Sequence, residues 1–444
     1  MSKDAALGST SWRHAFERKL KTRTRLAKLT QWRSVAVGAP VFLDGNHAFY
    51  LHDGERHLEW MLQAIGQAKK RVDLEIYIFE PDSVGTKIRD ALAAAAARGV
   101  TVRLLYDAVG GANAGAAFFR PILDAGGAVT EFNPVAPWRL RISRLGRRQD
   151  WSPNNRDHRK ILVCDSSATW ADATKSSTFD LDGPPPDPPT GEDRTEVALA
   201  ITGGRNIGDV YMGRALGAGQ WRDCGAVIFG PASVRIGALF DAMWEHAAGR
   251  DMKRPALASL EMGDLPILPL GSQPGFLNLL GYAIWHLATH VQEELRISCA
   301  YFIPGGRLRR ALARISRSKN GCKLILPLHN DLPMVAAASR HFLGYLLRAG
   351  VEIYLYAAET LHEKTLVYDQ RVTVLGSSNL DQRSFRLNYE LSVVVIGESF
   401  AAPIVKFHER DIGESQRYSL EEWRTRPLWE KFTDWFWSLF RSQL

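Results

Sequence analysis

The chain has 444 residues but only four cysteines, Cys164, Cys224, Cys299 and Cys322. None forms a Cys-x-x-Cys pair, which excludes a disulfide scaffold and a thiolate metal knuckle. Three lie in apolar, strand-like runs and Cys322 opens another, so buried reduced thiols are expected. The opening residues MSKDAALGST have no apolar stretch and do not read as a secretory signal. The tempting uncharged span from Leu265 to Trp285 is broken by Pro266, Pro269 and Pro274, which argues against a membrane-spanning helix. No metal-ligand spacing occurs. The run Gly110-Gly111-Ala112-Asn113-Ala114-Gly115 lacks the G-x-G-x-x-G spacing of a dinucleotide loop.

What is present is an ordinary globular composition, 45% apolar and 23% charged, with enough length for two or three domains. The net charge of +8 points to an anionic partner: nucleic acid, an acidic membrane surface or a phosphorylated small molecule. Thirteen tryptophans favour a wet–apolar boundary such as a bilayer surface.

An internal repeat organises the chain. RVDLEIYIF (71–79) and KIRDALAAAAARGVTVRLLYDAV (87–109) parallel LRISCAYFIP (295–304) and RLRRALARISRSKNGCKLILPL (307–328). Each reads as strand, helix, strand, hence two βαβ units. The expected fold is α/β: two repeats packed as a pseudo-dimer, with mixed sheets flanked by helices. The expected boundaries are a basic amphipathic segment over 1–39, a first repeat over 40–248, a linker over 249–275, a second repeat over 276–412 and an aromatic amphipathic tail over 413–444.

Each repeat carries H-x-K-x4-D: His158, Lys160 and Asp165 in the first, His362, Lys364 and Asp369 in the second. On a strand, positions i and i+2 face the same way, so each His and Lys aim at one ligand. The aspartates fall on the other face and are expected to be structural. A Gly-rich Asn element follows each motif, Gly203-Gly204-Arg205-Asn206 and Gly376-Ser377-Ser378-Asn379. Gly204, Ser377 and Ser378 are expected to let backbone N–H groups approach a phosphate. Asp223 and Glu390 each open a later strand and are expected to orient a catalytic imidazole. Asn379 lies 17 residues after His362, whereas Asn206 lies 48 after His158. The excess nearly equals the acidic, Pro-rich stretch 167–196, which therefore reads as an insertion in an exposed loop.

These motifs resemble the phospholipase D superfamily. The stretches IYIFEPDSVG, AYFIPG, HEKTLVYD and VLGSSNLDQRSFRLNYEL resemble bacterial cardiolipin synthases in particular. The resemblance implies phosphatidyl transfer between two phosphatidylglycerols through a phosphohistidine, with Asn206 and Asn379 donating to phosphate oxygens. His158 is expected to be the nucleophile and His362 the acid/base, although the near-symmetry leaves that order open. Lys160 and Lys364 supply the positive charge, so no cofactor or metal is expected. Hydrolysis of a lipid or nucleic-acid phosphodiester, and non-catalytic lipid binding, remain alternatives.

The expected partners are phosphatidylglycerol, as the anionic phospholipid, and a membrane surface, without nucleic acid; the oligomeric state stays open. The expected location is peripheral, on the cytoplasmic side of the cell membrane. Two anchors are expected there: the basic stretch 12–33, with Trp12, Phe16, Leu20 and Trp32, and the aromatic stretch 427–441.

Overall fold

In a computed structural model of the chain, the described residues are 7–30, 39–135, 152–175, 195–212, 221–249, 252–275 and 278–444. The first repeat contributes β1 (Leu43–Leu51), β2 (Arg71–Ile76), β3 (Thr101–Asp107), β4 (Ala128–Phe132), β5 (Ile161–Ser167), β6 (Glu196–Gly203), the two-residue β7 (Trp221–Arg222) and β8 (Gly225–Phe229). The second contributes β9 (Leu265–Ser272), β10 (Glu294–Cys299), β11 (Gly321–Pro327), β12 (Glu352–Tyr356), β13 (Thr360–Leu361), β14 (Lys364–Tyr368), β15 (Val372–Gly376), β16 (Glu390–Ile396) and β17 (Ser415–Tyr418).

The two expected βαβ units form where the periodicity changes. In the first, β2 is buried along its whole length and runs parallel to β3. The intervening helix Ser83–Ala97 starts where the Asp82 side chain accepts from the Gly85 N–H, and it buries Val84, Ile88, Leu92 and Ala95 at helical spacing. In the second, β10 runs parallel to β11 around the helix Gly306–Ile315, which buries Leu308, Ala311, Leu312 and Ile315.

Fifteen strands join in one mixed sheet, in the order β17-β12-β11-β10-β14-β15-β16-β9-β1-β8-β6-β5-β2-β3-β4. Read outward from the β9–β1 pair, the two halves repeat the same pattern, β16-β15-β14-β10-β11-β12 on one side and β8-β6-β5-β2-β3-β4 on the other. The halves are thus one continuous sheet about a pseudo-twofold axis, with helices on its faces. All four cysteines are buried and free.

Several expected boundaries are corrected. The linker 249–275 contains β9, which pairs with β16 of its own half and with β1 of the other, so it joins the two halves. The tail 413–444 begins with β17, the edge strand beside β12. The insertion is also misplaced. Ser167 ends β5, and Ala168–Ala173 is a helix whose Trp170 is 1% exposed and packs tilted against Trp60 and edge-on to Phe229. Apolar burial outweighs the polar composition there; residues 176–194, with the prolines, lie outside the described residues.

The N-terminal anchor is corrected as well. Helix Thr10–Thr30 does form, but Trp12, Phe16 and Leu20 are buried in the second repeat's core with Leu280, Ala283 and Leu287. These three apolar side chains are taken up by the protein itself. Trp32 lies outside the described residues.

Trp170→Ala should cost about 3–5 kcal/mol in a denaturant titration, the usual range for deleting a buried Trp. A loss below about 1 kcal/mol would mean that helix Ala168–Ala173 is not part of the core.

Candidate active site

The two H-x-K motifs meet because each is held by the opposite half. Asp157 forms a parallel bridge with Tyr389, and β13 pairs with β7. The His158 N–H donates to the Tyr389 carbonyl at 2.9 Å, and the His362 N–H donates to the Arg222 carbonyl at 2.7 Å. Tyr389 precedes Glu390 and Arg222 precedes Asp223. Each histidine is therefore seated beside the acid of the other repeat.

The side chains follow. His158 Nδ1 lies 3.1 Å from Glu390 Oε2, and His362 Nδ1 lies 2.6 Å from Asp223 Oδ2. Lys364 Nζ also approaches His362 Nδ1, at 2.8 Å. The carboxylate is the nearer partner and accepts the Nδ1–H, which leaves Nε2 as the free ring nitrogen. Lys160 Nζ donates to the His158 carbonyl at 2.7 Å, and Lys364 Nζ donates to that of His362.

All six groups are buried. Burial lowers His158 below its ordinary value, against the pull of Glu390. Burial and then Lys364 lower His362 to about 3. Burial pulls Lys160 down to about 7, with Glu390 opposing. Burial pushes Asp223 up, but Lys364 and His362 outweigh it and hold the carboxyl at about 2. The same contest, won by His158 and Lys160, lowers Glu390. Without substrate, both imidazoles are neutral beside ionised carboxylates at neutral pH.

A cavity of about 500 Å³ opens over this centre, lined by His158, His362, Asn206 and Asn379 among others. Asn206 is fixed, its Oδ1 accepting from the Ile78 N–H at 3.2 Å and its Nδ2 reaching the Tyr211 hydroxyl at 3.4 Å. Asn379 occupies the matching position, bridged through Leu380 to Phe302 as Ile207 is to Phe79.

Asp165 and Asp369 lie away from the cavity. Asp165 accepts the N–H groups of Lys69, Lys70 and Arg71 at 2.7–3.0 Å. Asp369 accepts those of Gln292, Glu293 and Glu294 at 2.9–3.3 Å. Each motif aspartate thus ties the end of its strand to the start of β2 or β10.

The expected phosphate contacts of Gly204 and Ser377 are corrected. The Gly204 N–H donates to the Cys224 carbonyl and the Ser377 N–H to that of Leu391, so both amides are spent on the sheet. A Cβ on Gly204 would stand 2.3 Å from Asp223 Oδ1. The glycine makes room for that carboxylate. Ser377 Oγ instead donates to Glu390. Ser378 Oγ is turned to the Asn379 carbonyl at 3.1 Å.

The family described as "Cardiolipin synthase, PLD-like domain" matches residues 61–209 and 284–412, which span both repeats. The chain belongs to this family. It is similar to the major cardiolipin synthase of Bacillus subtilis, at 28% identity over 397 residues, covering 88% of this chain and 73% of that protein. Cardiolipin synthase A of Citrobacter koseri is 27% identical over 441 residues, covering 95% and 80%. The crystal structure of phosphatidylserine synthase from Haemophilus influenzae has a TM-score of 0.62 at 15% identity, covers 96% of this chain and all of that one, and shares its fold.

Several wall residues of this cardiolipin synthase family member escape a motif reading. Tyr77 stands edge-on to the His158 ring at 4.9 Å, and Trp221 lies 4.7 Å from the His362 ring. The Tyr301 hydroxyl donates to Asp331 at 2.8 Å at the cavity wall. Arg156 donates to Asp107 at 3.2 Å and lines the cavity too. Tyr77 and Tyr301 lie inside the repeated stretches 71–79 and 295–304, and Trp221 lies two residues before Asp223, but nothing in the pattern singles them out as wall residues.

The crossed pairing has a direct thermodynamic signature. In double-mutant cycles on unfolding, Asp223→Asn should couple to His362→Ala by more than about 1 kcal/mol and to His158→Ala by under about 0.5 kcal/mol. The reverse pattern would refute the pairing.

Proposed function

We propose that this chain transfers a phosphatidyl group from one phosphatidylglycerol to another, releasing glycerol and forming cardiolipin. The observation that carries this reading is one cavity holding two imidazoles, each backed by a buried carboxylate and flanked by a lysine. Its wall also includes Leu332, Met334 and Val335, an apolar side suited to acyl chains.

Lys160 and Lys364 neutralise the phosphodiester oxygens, and Asn206 and Asn379 donate to them. His158 Nε2 attacks phosphorus while the P–O bond to the leaving glycerol breaks. That oxygen takes a proton from His362 Nε2, leaving a phosphohistidine. The hydroxyl of the second phosphatidylglycerol then returns a proton to His362 Nε2 and attacks phosphorus. The P–N bond breaks and His158 is restored. His158 takes the nucleophile's part because it is the more open of the two to the cavity, at 9% exposure against 4%.

The acid must carry a proton at Nε2, yet His362 is neutral in the empty cavity. The substrate's own charge resolves this. A bound phosphodiester offsets Lys364 and Lys160, whose repulsion helps hold His362 down, and so raises its proton affinity. We further propose that the protein meets its lipid at a membrane surface as a peripheral protein. Among the described residues, no helix is long and apolar enough to cross a membrane.

Mass spectrometry of products from phosphatidylglycerol vesicles should find cardiolipin and glycerol; phosphatidic acid alone would establish hydrolysis instead. His158→Ala and His362→Ala should each lower turnover by at least about 100-fold. Only the His362 variant should still trap phosphate on protein after acid quench.

The pH profile has a determined sign. Anion binding favours charged Lys160 and protonated His362, so kcat/KM should fall as pH rises through about 7, where Lys160 loses its proton. Short-chain phosphatidylglycerol keeps one charge throughout that range. A profile flat to pH 9 would remove Lys160 from phosphate binding.

A further inference from the structure

The C-terminal helix Leu428–Ser438 is amphipathic in the inverted sense. Its polar residues Asp434 and Ser438 face the protein and are buried. Asp434 accepts from Arg340 at 3.0 Å and from Arg426 at 3.0 Å, which fixes the helix on helix Pro333–Ala349. Its apolar residues face out: Leu428, Trp429, Phe432, Trp435 and Phe436, continued by Leu439 and Phe440. Leu428 is 81% exposed, Trp429 66% and Phe432 61%. Every exposed residue from 428 to 440 is apolar, and these seven make up half of the exposed large hydrophobics among the described residues. Scattered apolar side chains are normal on a surface, but a contiguous helical stripe of this kind marks an interaction face.

The stripe leads to the cavity. Trp437 and Leu444 pack on the cluster of Ile303, Val335, Ala338 and Phe342. The Arg383 N–H donates to the Leu444 carbonyl at 3.1 Å, and Gln443 and Leu444 line the active-site wall with Leu332 and Met334. Leu332 and Met334 are themselves 40% and 39% exposed. Cations flank the same end. Arg309 lies within electrostatic reach of Arg310 and Arg441, and Arg310 and Arg441 are exposed.

We propose that this stripe, with Arg309, Arg310 and Arg441 beside it, is the face that docks on an anionic phospholipid bilayer. The rings enter the headgroup–acyl boundary and the guanidinium groups meet lipid phosphates. The end of the helix nearest Leu332 and Met334 then stands over the cavity mouth, giving acyl chains an apolar path from bilayer to His158 and His362. Charge favours a bilayer over a second copy of the chain. Two copies meeting stripe to stripe would bring like arginines together, whereas anionic headgroups complement them. Only the identity of the entering lipid rests on the activity proposed above; the docking itself does not.

The test uses the full chain and the variant Trp429→Glu/Phe432→Glu/Phe436→Glu, whose sites are exposed. The wild type should co-sediment with phosphatidylglycerol vesicles and much less with phosphatidylcholine vesicles. The variant should bind phosphatidylglycerol vesicles at least about tenfold more weakly while keeping its circular dichroism and thermal midpoint. It should keep turnover on monomeric short-chain phosphatidylglycerol and lose it on vesicles. Arg309→Ala/Arg310→Ala/Arg441→Ala should bind both vesicles alike and with little salt dependence. Unchanged sedimentation of the glutamate variant would overturn the proposal. So would a wild-type dimer in sedimentation velocity that the variant dissociates without altering vesicle binding. Absence of turnover on every phosphatidyl substrate, with vesicle binding intact, would overturn the activity and leave the docking face standing.

Discussion

Two backbone hydrogen bonds, His158 N–H to Tyr389 and His362 N–H to Arg222, set the register on which the centre depends. A shift of one residue in either would turn the His and Lys pair away and present the intervening residue instead. With the register fixed, Glu390 reaches His158 and Asp223 reaches His362. Neither repeat holds a complete site. The continuous sheet through β9 and β1 keeps the two contributions aligned, because the strand that reads as a linker pairs with both halves.

The residue between each His and Lys serves the same junction from the other side of the strand. Arg159 donates to the carbonyls of Glu390 at 3.3 Å and Ser272 at 3.1 Å, both in the second half. Glu363 pairs with Arg222 at 2.7 Å and accepts from Tyr50 at 2.7 Å, both in the first. The charge at this position is inverted between repeats. Buried charges of this kind are costly unless paired, so each specifies one partner surface and rejects a symmetric exchange. The two motif lysines are held alike by their own histidine carbonyls, so the His–Lys pairs keep the twofold pattern while the support beneath them does not.

The same division appears around the acids. Gly204 and Ser377 stand at equivalent points, and both serve a carboxylate. Space at Gly204 admits Asp223, and a hydroxyl at Ser377 steadies the longer Glu390. Both amides continue the sheet. Gly204 and Ser377, two of the residues expected to cradle phosphate, therefore serve the acids that position the histidines.

Local pattern determined a good deal: the two βαβ units, the paired H-x-K strands, the anchoring aspartates and the acids themselves were legible because strand and helix periods are short-range properties. Composition misled where burial overrode it. Trp170 draws part of an acidic, Pro-rich stretch into the core, and Trp12, Phe16 and Leu20 spend an apparent membrane anchor on Leu280 and Leu287. The apolar face of Leu428–Ser438 was visible as a stripe, but not whether it points inward. Only the tertiary structure decided that, through Asp434 and its two arginines. Only it decided which acid serves which histidine, because a sequence orders residues along one chain, whereas the crossed pairing is made by hydrogen bonds between segments more than a hundred residues apart.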